Sequence, residues 1–210
     1  LYILGDLFET WIGDDEISDL SRQVADALLG FSATGARIYL MHGNRDFLLG
    51  EDFAKQCGAT LISEPYIVHS GSEDFLVLHG DSLCTDDVDY QQFRQMVRQP
   101  QWQAQFLSQP LEARREFARQ ARAQSQAATA GKDLEIMDVN QPAVLALMEN
   151  CQRTRLIHGH THRPARHAVS LAKPVTGQTT GERVVLGDWD KQGWYAELQD
   201  GELNLLNFPL

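Results

Sequence analysis

Four short apolar runs, each stopped by a glycine beside residues able to bind metal, constrain this chain more than any other feature. Tyr2 to Leu4 runs into Gly5-Asp6, and Arg37 to Met41 runs into His42-Gly43-Asn44-Arg45-Asp46. Phe75 to Leu78 runs into His79-Gly80-Asp81, and Arg155 to Ile157 runs into His158-Gly159-His160-Thr161-His162. Apolar runs of this length with turn residues behind them predict strands buried on both faces. Between the first two, the spacing predicts a helix over Ile17–Ser32, with Leu20, Val24, Leu28 and Phe31 on one face and Gly35 as its stop. A second helix is predicted over Phe47–Cys57, ended by Gly58. Strand–helix–strand order implies parallel neighbours and an α/β layered fold. Beyond His162, residues 166–171, 182–187, 193–198 and 202–208 predict short strands in an antiparallel meander.

The stretch from Val88 to Cys151 interrupts this alternation with nearly continuous helical spacing. Within 88–132 it carries Arg94, Arg98, Arg114, Arg115, Arg119, Arg122 and Lys132 against Asp89, Glu112 and Glu116. It also holds Phe93, Met96, Trp102, Phe106, Leu107, Leu111 and Phe117. A basic, aromatic helical insertion in a chain of net charge −11 suits a cap over a site or a face toward lipid headgroups. An ordinary solvated helical hairpin explains the same pattern equally well.

Composition excludes several classes. A net charge of −11 with a pI near 5.0 opposes general binding of nucleic acid through its phosphates. Three cysteines, Cys57, Cys84 and Cys151, form no C-x-x-C pair, so neither a disulfide framework nor a thiolate zinc site is indicated. Reduced thiols in a cytosolic protein are the expectation. No run approaches the ~18–20 apolar residues that span a bilayer. The chain opens without Met and already inside a strand pattern, so an upstream segment carrying a first strand is expected.

The chemistry lies where the four predicted strands end. In open α/β sheets the carboxyl ends of strands gather on one edge, where ligands bind. Asp6, Asn44, His79, His160 and His162 would meet there: one carboxylate, one amide oxygen and three imidazoles. That donor mix suits Mn²⁺, Fe²⁺ or Zn²⁺ better than Mg²⁺ or Ca²⁺. His160 and His162, two apart on an extended segment, would point the same way and could serve different metals. A carboxylate bridging two metals ~3.5–4 Å apart suits in-line phosphoryl chemistry. Each residue has a plainer use as well. Asp6 could cap the following turn, and Asn44 could steady a strand-end loop. His42 and His158 are taken as structural, His69 and His167 as surface residues, and Asp46, Asp81 and Asp86 as groups that orient their neighbours.

Gly5-Asp6, Gly43-Asn44-Arg45-Asp46, His79-Gly80-Asp81 and Gly159-His160-Thr161-His162 resemble the blocks of the calcineurin-like metallophosphoesterases. That family opens with an Asp-x-His block, which this chain lacks. The longer strings from Tyr2 to Asp15, His42 to Gly50, His79 to Asp87 and Ile157 to Pro164 are similar to one branch, the UDP-2,3-diacylglucosamine hydrolases of bacterial lipid A biosynthesis. Arg45 stands where most of the wider family has His, as it does in that branch.

The resemblance implies a single metallophosphoesterase domain over 1–210, a layered sandwich of mixed sheets flanked by helices, without its first strand and with a helical cap inserted at 88–151. It implies two Mn²⁺, with Asp6 bridging, Asn44, His79 and His160 on the second metal, and His162 on the first. Asn44 and Arg45 would hold phosphate oxygens. Asp87, Ser125, Thr129, Lys132 and His160 would contact the substrate, UDP-2,3-diacylglucosamine, which is split to UMP and 2,3-diacylglucosamine 1-phosphate. The cap would cover two acyl chains and rest on the cytoplasmic face of the inner membrane, with Arg114, Arg115 and Arg119 toward anionic lipid. Neither a nucleic-acid partner nor an obligate protein partner is expected. The alternatives are a two-metal enzyme of other specificity, such as a dinucleoside polyphosphate hydrolase, and a scaffold that keeps the fold without a competent site.

Overall fold

Parallel pairing of the first two apolar runs, β1 (Tyr2–Ile3) and β2 (Ile38–Met41), sets Tyr2 opposite Tyr39 and Ile3 opposite Leu40. The computed structural model that shows this describes residues 1–210 except 72, 130–135 and 200. Its described residues group into two units, one of Leu1–Ser63 with Asp87–Ile136, the other of Glu64–Asp86 with Met137–Leu210.

In the first unit a third strand, β3 (Ala59–Ile62), joins β2 in parallel and completes the order β1-β2-β3. Helix α1 (Asp19–Ser32) begins at a reciprocal cap. The Ser18 hydroxyl accepts from Ser21 N at 3.0 Å, and the Ser21 hydroxyl accepts from Ser18 N at 2.9 Å. Such a cap contributes about 1 kcal/mol. Val24 and Leu28 pack on the core as the spacing predicts. Leu20 and Phe31 stay 63% and 46% exposed, because the side of the helix that is buried is the one carrying Ser21 and Ala25.

Helix α2 spans only Glu51–Gln56. Its start is fixed from a distance: Asp14 accepts from Gly50 N at 2.9 Å through Oδ1 and from Phe53 N at 3.0 Å through Oδ2. The glycine at the cap position has no side chain to do this, and Phe47–Leu49 remain in the preceding loop.

The basic stretch forms α3 (Val88–Val97), α4 (Pro100–Leu107) and α5 (Leu111–Thr129) in the same unit, while α6 (Gln141–Asn150) belongs to the second. Trp102 stacks on Phe106 with ring centres 5.0 Å apart, and Phe117 sits 5.2 Å from Phe106. These rings close over Phe8, Trp11, Leu48 and Phe53 in one apolar core. Each such buried side chain contributes roughly 1.5–3 kcal/mol.

The second unit holds β4 (Tyr66–Ser70), β5 (Glu73–Leu78), β6 (Arg155–His158), β7 (Ala165–Val175) and β8 (Gln178–Val185), in the order β4-β5-β6-β8-β7. The three central strands run parallel and both edge pairs are antiparallel. Phe75, Leu76, Val77 and Leu78 are all at most 3% exposed, the mark of a strand covered on both faces. The C-terminal region is not one meander. β7 pairs with β8, but β8 continues in parallel onto β6, and β9 (Gln192–Gln199) and β10 (Glu202–Pro209) form a separate hairpin. No described helix is long and apolar enough to cross a membrane.

Candidate functional site

The end of β1 and the end of β2 touch backbone to backbone in the first unit. A Cβ on Gly43 would collide with the backbone nitrogen and Oδ1 of Asp6, so only glycine permits this approach. Asp46, 1% exposed, ties the two ends together. Its carboxylate accepts from Asp6 N at 3.1 Å, Leu7 N at 2.7 Å and Gly43 N at 2.7 Å. The expectation that Asp46 orients its neighbours is met through backbone groups.

Asp6 itself is held at φ 54°, in the left-handed region. Its Oδ1 accepts from Arg45 N at 2.9 Å, and its Oδ2 lies 3.5 Å from Arg45 Nε. Arg45 also pairs with Glu9, and Glu9 pairs with Arg122 of α5. One carboxylate therefore bridges two guanidinium groups, a position that a phosphate oxygen suits equally well. Asn44 sits between Gly43 and Arg45 in the same half-buried loop. Arg98, which caps the C-terminal end of α3, donates from Nη2 to the carbonyl of Gly43 at 2.8 Å and steadies that loop. The first unit thus brings Asp6, Asn44 and Arg45 together.

Among the residues expected at the substrate, Asp87 caps α3, accepting from Tyr90 N at 3.2 Å. Ser125 is exposed on α5, and Thr129 is its last residue. Lys132 lies outside the described residues.

Arg114 departs from the expectation. It is 3% exposed and donates from Nη1 to the carbonyl of Ile12 at 2.7 Å and to Asp15 at 2.8 Å, so it cannot meet lipid headgroups. Its place explains this, since residues 111, 114, 117 and 118 share the core-facing side of α5. That hydrogen bond holds the Asp15 carboxyl below its ordinary pKa. Arg115 and Arg119 are exposed but occupied by Glu16 and Glu116. Between α5 and the segment Phe8–Leu20 lies a cavity of about 650 Å³, lined by Phe8, Trp11, Ile12, Leu20 and Ala118, with Arg115, Arg119, Arg122 and Glu9 at its wall.

The second unit supplies the imidazoles. His79, 1% exposed, follows β5, and its backbone N–H donates to Glu64 at 2.9 Å. His160 follows β6. The rings of His79 and His160 meet edge to face with centres 5.1 Å apart, and each offers a nitrogen within 4.8 Å of the other. The protein packed around His160 pushes its pKa down to about 3, with His79 adding to the effect. The ring is therefore neutral at neutral pH, with one nitrogen free to bind, as a metal ligand requires.

The segment around His160 is not extended. His160 and His162 have φ values of 65° and 54°, and Thr161 N donates back to the carbonyl of Gly159 at 2.8 Å. The tight turn replaces the predicted two-residue alternation. His162 Nδ1 lies 3.8 Å from Asp188. Of five non-glycine residues with positive φ among those described, three are Asp6, His160 and His162. Strain of this kind, on the order of 1–3 kcal/mol per residue, gathers at functional sites.

Other histidines divide as expected, with one addition. His42 Nε2 bonds the carbonyl of Leu49 at 2.6 Å, and His158 is fully buried. His69 is exposed but pairs with Asp74 at 2.6 Å, a cross-strand contact that only the β4–β5 register reveals. Asp86 accepts from the Asn140 side chain at 3.0 Å. Sequence patterning assigns no site role to Glu9, which falls within the Tyr2–Asp15 string without being a metal-ligand position, or to Arg98, whose target is a backbone carbonyl.

The calcineurin-like phosphoesterase family model matches residues 1–164. UDP-2,3-diacylglucosamine hydrolase of Cellvibrio japonicus (strain Ueda107) is 51% identical over 211 residues, spanning 100% of this chain and 85% of that protein. The protein of the same name from Chromohalobacter salexigens is 50% identical over 201 residues, 95% of this chain and 80% of its own length. That from Escherichia coli O81 (strain ED1a) is 47% identical over 209 residues, 100% of this chain and 85% of its own.

Proposed function

Because this chain belongs to the calcineurin-like phosphoesterases, we propose that it hydrolyses UDP-2,3-diacylglucosamine to UMP and 2,3-diacylglucosamine 1-phosphate, a step of lipid A biosynthesis. The observation that carries the choice of substrate is the apolar cavity of about 650 Å³ under α5. Glu9 on its wall also holds Arg45, so a phosphate-binding arginine and an apolar chain site share one carboxylate. A soluble dinucleotide has no use for such a cavity, whereas acyl chains fill it.

Imidazoles together with a carboxylate and an amide oxygen are a donor set that fits a transition ion. Asp6, Asn44, His79 and His160 would hold one Mn²⁺, and Asp6 and His162 would contribute to a second. The ions, when bound, supply Lewis acidity and an activated water. The chain's own residues bind and orient the substrate. Arg45, released from Glu9, presents a fork of donors to the phosphate oxygens and steadies the charge that builds on them. Asn44 donates its amide to the same group. Asp87, Ser125, Thr129 and Lys132 would position the nucleotide and sugar, with α3–α5 as the cap. Two acyl chains place the substrate in a bilayer, and the enzyme would work on the cytoplasmic face of the inner membrane. Its lipid contact would come from exposed Leu20, Met96 and Leu107 rather than from Arg114.

The test is Mn²⁺-dependent release of UMP from UDP-2,3-diacylglucosamine. His79→Ala should abolish turnover by removing a ligand. Arg45→Ala should lower kcat by about 10²–10³ while bound Mn²⁺ is retained. Turnover of a dinucleoside polyphosphate with none of the diacyl substrate would overturn the reading.

A further inference from the structure

A buried chain of donors and acceptors leads from β8 to the turn that carries His160. Arg183 of β8 is 3% exposed, and its Nη1 stands 3.1 Å from Nε2 of His158, which is 0% exposed. A guanidinium nitrogen only donates, so Nε2 of His158 must be the acceptor. The ring proton then sits on Nδ1, which lies 2.9 Å from the carbonyl of Gly159 and donates to it. That same carbonyl accepts from Thr161 N at 2.8 Å, closing a three-residue turn across His160. The N–H of Gly159 donates to the carbonyl of His79 at 2.8 Å. Every polar group of the Gly159 residue is therefore engaged, and its carbonyl twice.

The turn needs this hold. With its central residue at φ 65°, it is the strained form of the γ-turn, which persists only when the surroundings over-determine it. Free imidazole has no such restriction of its proton to Nδ1. Were the proton on Nε2, it would face the Arg183 donor, and bare Nδ1 would face the Gly159 carbonyl. Both contacts would turn repulsive. Arg183 cannot lose its proton in a protein, which makes it a permanent selector of one tautomer. The pocket is shaped for the ring: a Cβ on Gly80 would come within 2.8 Å of His158 Nδ1. The arginine is also committed to this contact, since its buried Nε has no hydrogen-bond partner among the described residues.

We infer that Arg183 is a positioning residue for the hydrolytic site: through His158 it fixes the Gly159 carbonyl and so holds the strained turn that presents His160. The inference rests on the metal-centre reading for its link to catalysis, but not for the geometry of the turn. Groups that orient a metal ligand in this indirect way change metal affinity or activity by about 10–100-fold when removed.

The test compares the wild type with Arg183→Met, which keeps most of the volume without the donors, and with Arg183→Lys, which restores one. In metal-free protein labelled with ¹⁵N-histidine, the wild type should show His158 protonated at Nδ1. Arg183→Met should lose that single tautomer and exchange the Thr161 amide faster, and Arg183→Lys should recover both. Mn²⁺ affinity should fall about tenfold in Arg183→Met and return in the lysine variant. An Nδ1 tautomer and Thr161 protection unchanged in Arg183→Met would overturn the inference. So would a lost tautomer with unaltered Mn²⁺ affinity. A wild type that binds no Mn²⁺ would instead overturn the metal-centre reading, and the tautomer and exchange measurements would then decide the role of Arg183 in the turn.

Discussion

Asp46 shows how much one buried carboxylate can organise without touching a substrate. It takes the N–H groups of Asp6, Leu7 and Gly43, three backbone donors in or beside the buried join of the two strand ends. Asp46→Asn keeps the shape but turns an amide NH₂ toward at least one of these donors. At ~1–3 kcal/mol for an unsatisfied buried group, the variant should lose at least about 1–3 kcal/mol in urea denaturation, and an unchanged midpoint would show that the loop relaxes around the loss. Residues of this scale were legible as types. A Gly-Asp or Gly-Asn at the end of an apolar run reveals which side chain is presented. It does not reveal that His160 and His162 occupy a tight turn with φ near 60°, because backbone strain is imposed by hydrogen bonds to residues distant in sequence. Glu9 was invisible for a similar reason: its partners Arg45 and Arg122 meet it only in the folded unit.

Helix α5 shows what periodicity can and cannot tell at the scale of an element. Its helical character is readable in the spacing of residues 88–151, but its bounds at Leu111 and Thr129 are not, and its arginines do not form one basic face. Arg114 shares a face with Leu111, Phe117 and Ala118, which pack on the core, and that spacing was available in the sequence as a warning. The buried guanidinium docks α5 on Ile12 and Asp15. Arg114→Ala should cost about 2–4 kcal/mol, from lost packing and an abandoned carbonyl. Asp15 adds a pH signature. Its folded pKa lies below the ordinary 3.8, so the contribution is fully present above that value and fades as pH falls through the lower folded value. The stability gap between wild type and Asp15→Asn should therefore be constant from pH 7 to 5 and close on further acidification, as followed by urea midpoints. A gap that widened in acid would contradict the pairing. The strands β3 and β4 escaped notice because Ala59–Ile62 and Tyr66–Ser70 alternate burial weakly, unlike the apolar run of β5.

For the whole molecule, sequence order predicted α/β layering but not the division of strands between sheets. A buried parallel strand advertises itself by composition, whereas its neighbour is chosen by contacts across many residues. β8 illustrates this: it reads as part of a C-terminal meander, yet pairs with β6 as well as β7. If the metal centre is as proposed, Mn²⁺ should stabilise the native state by about 2.7 kcal/mol at a hundred times its Kd. For a chain of this length that corresponds to a rise in Tm of roughly 5–10 °C. EDTA should remove the shift, and His160→Ala should not show it; a shift retained in that variant would locate the ion elsewhere.

Each of the two units is also built from two separate stretches of chain, and this has a bearing on synthesis. Phe8, Trp11 and Phe53 share a core with Phe106 and are packed by Phe117, so the first sixty residues leave the ribosome without the helices that cover them. At ~5–20 residues per second, α5 follows β3 by roughly 3–10 s. During that interval the nascent chain carries exposed aromatic surface, and a holding chaperone has its natural opportunity there.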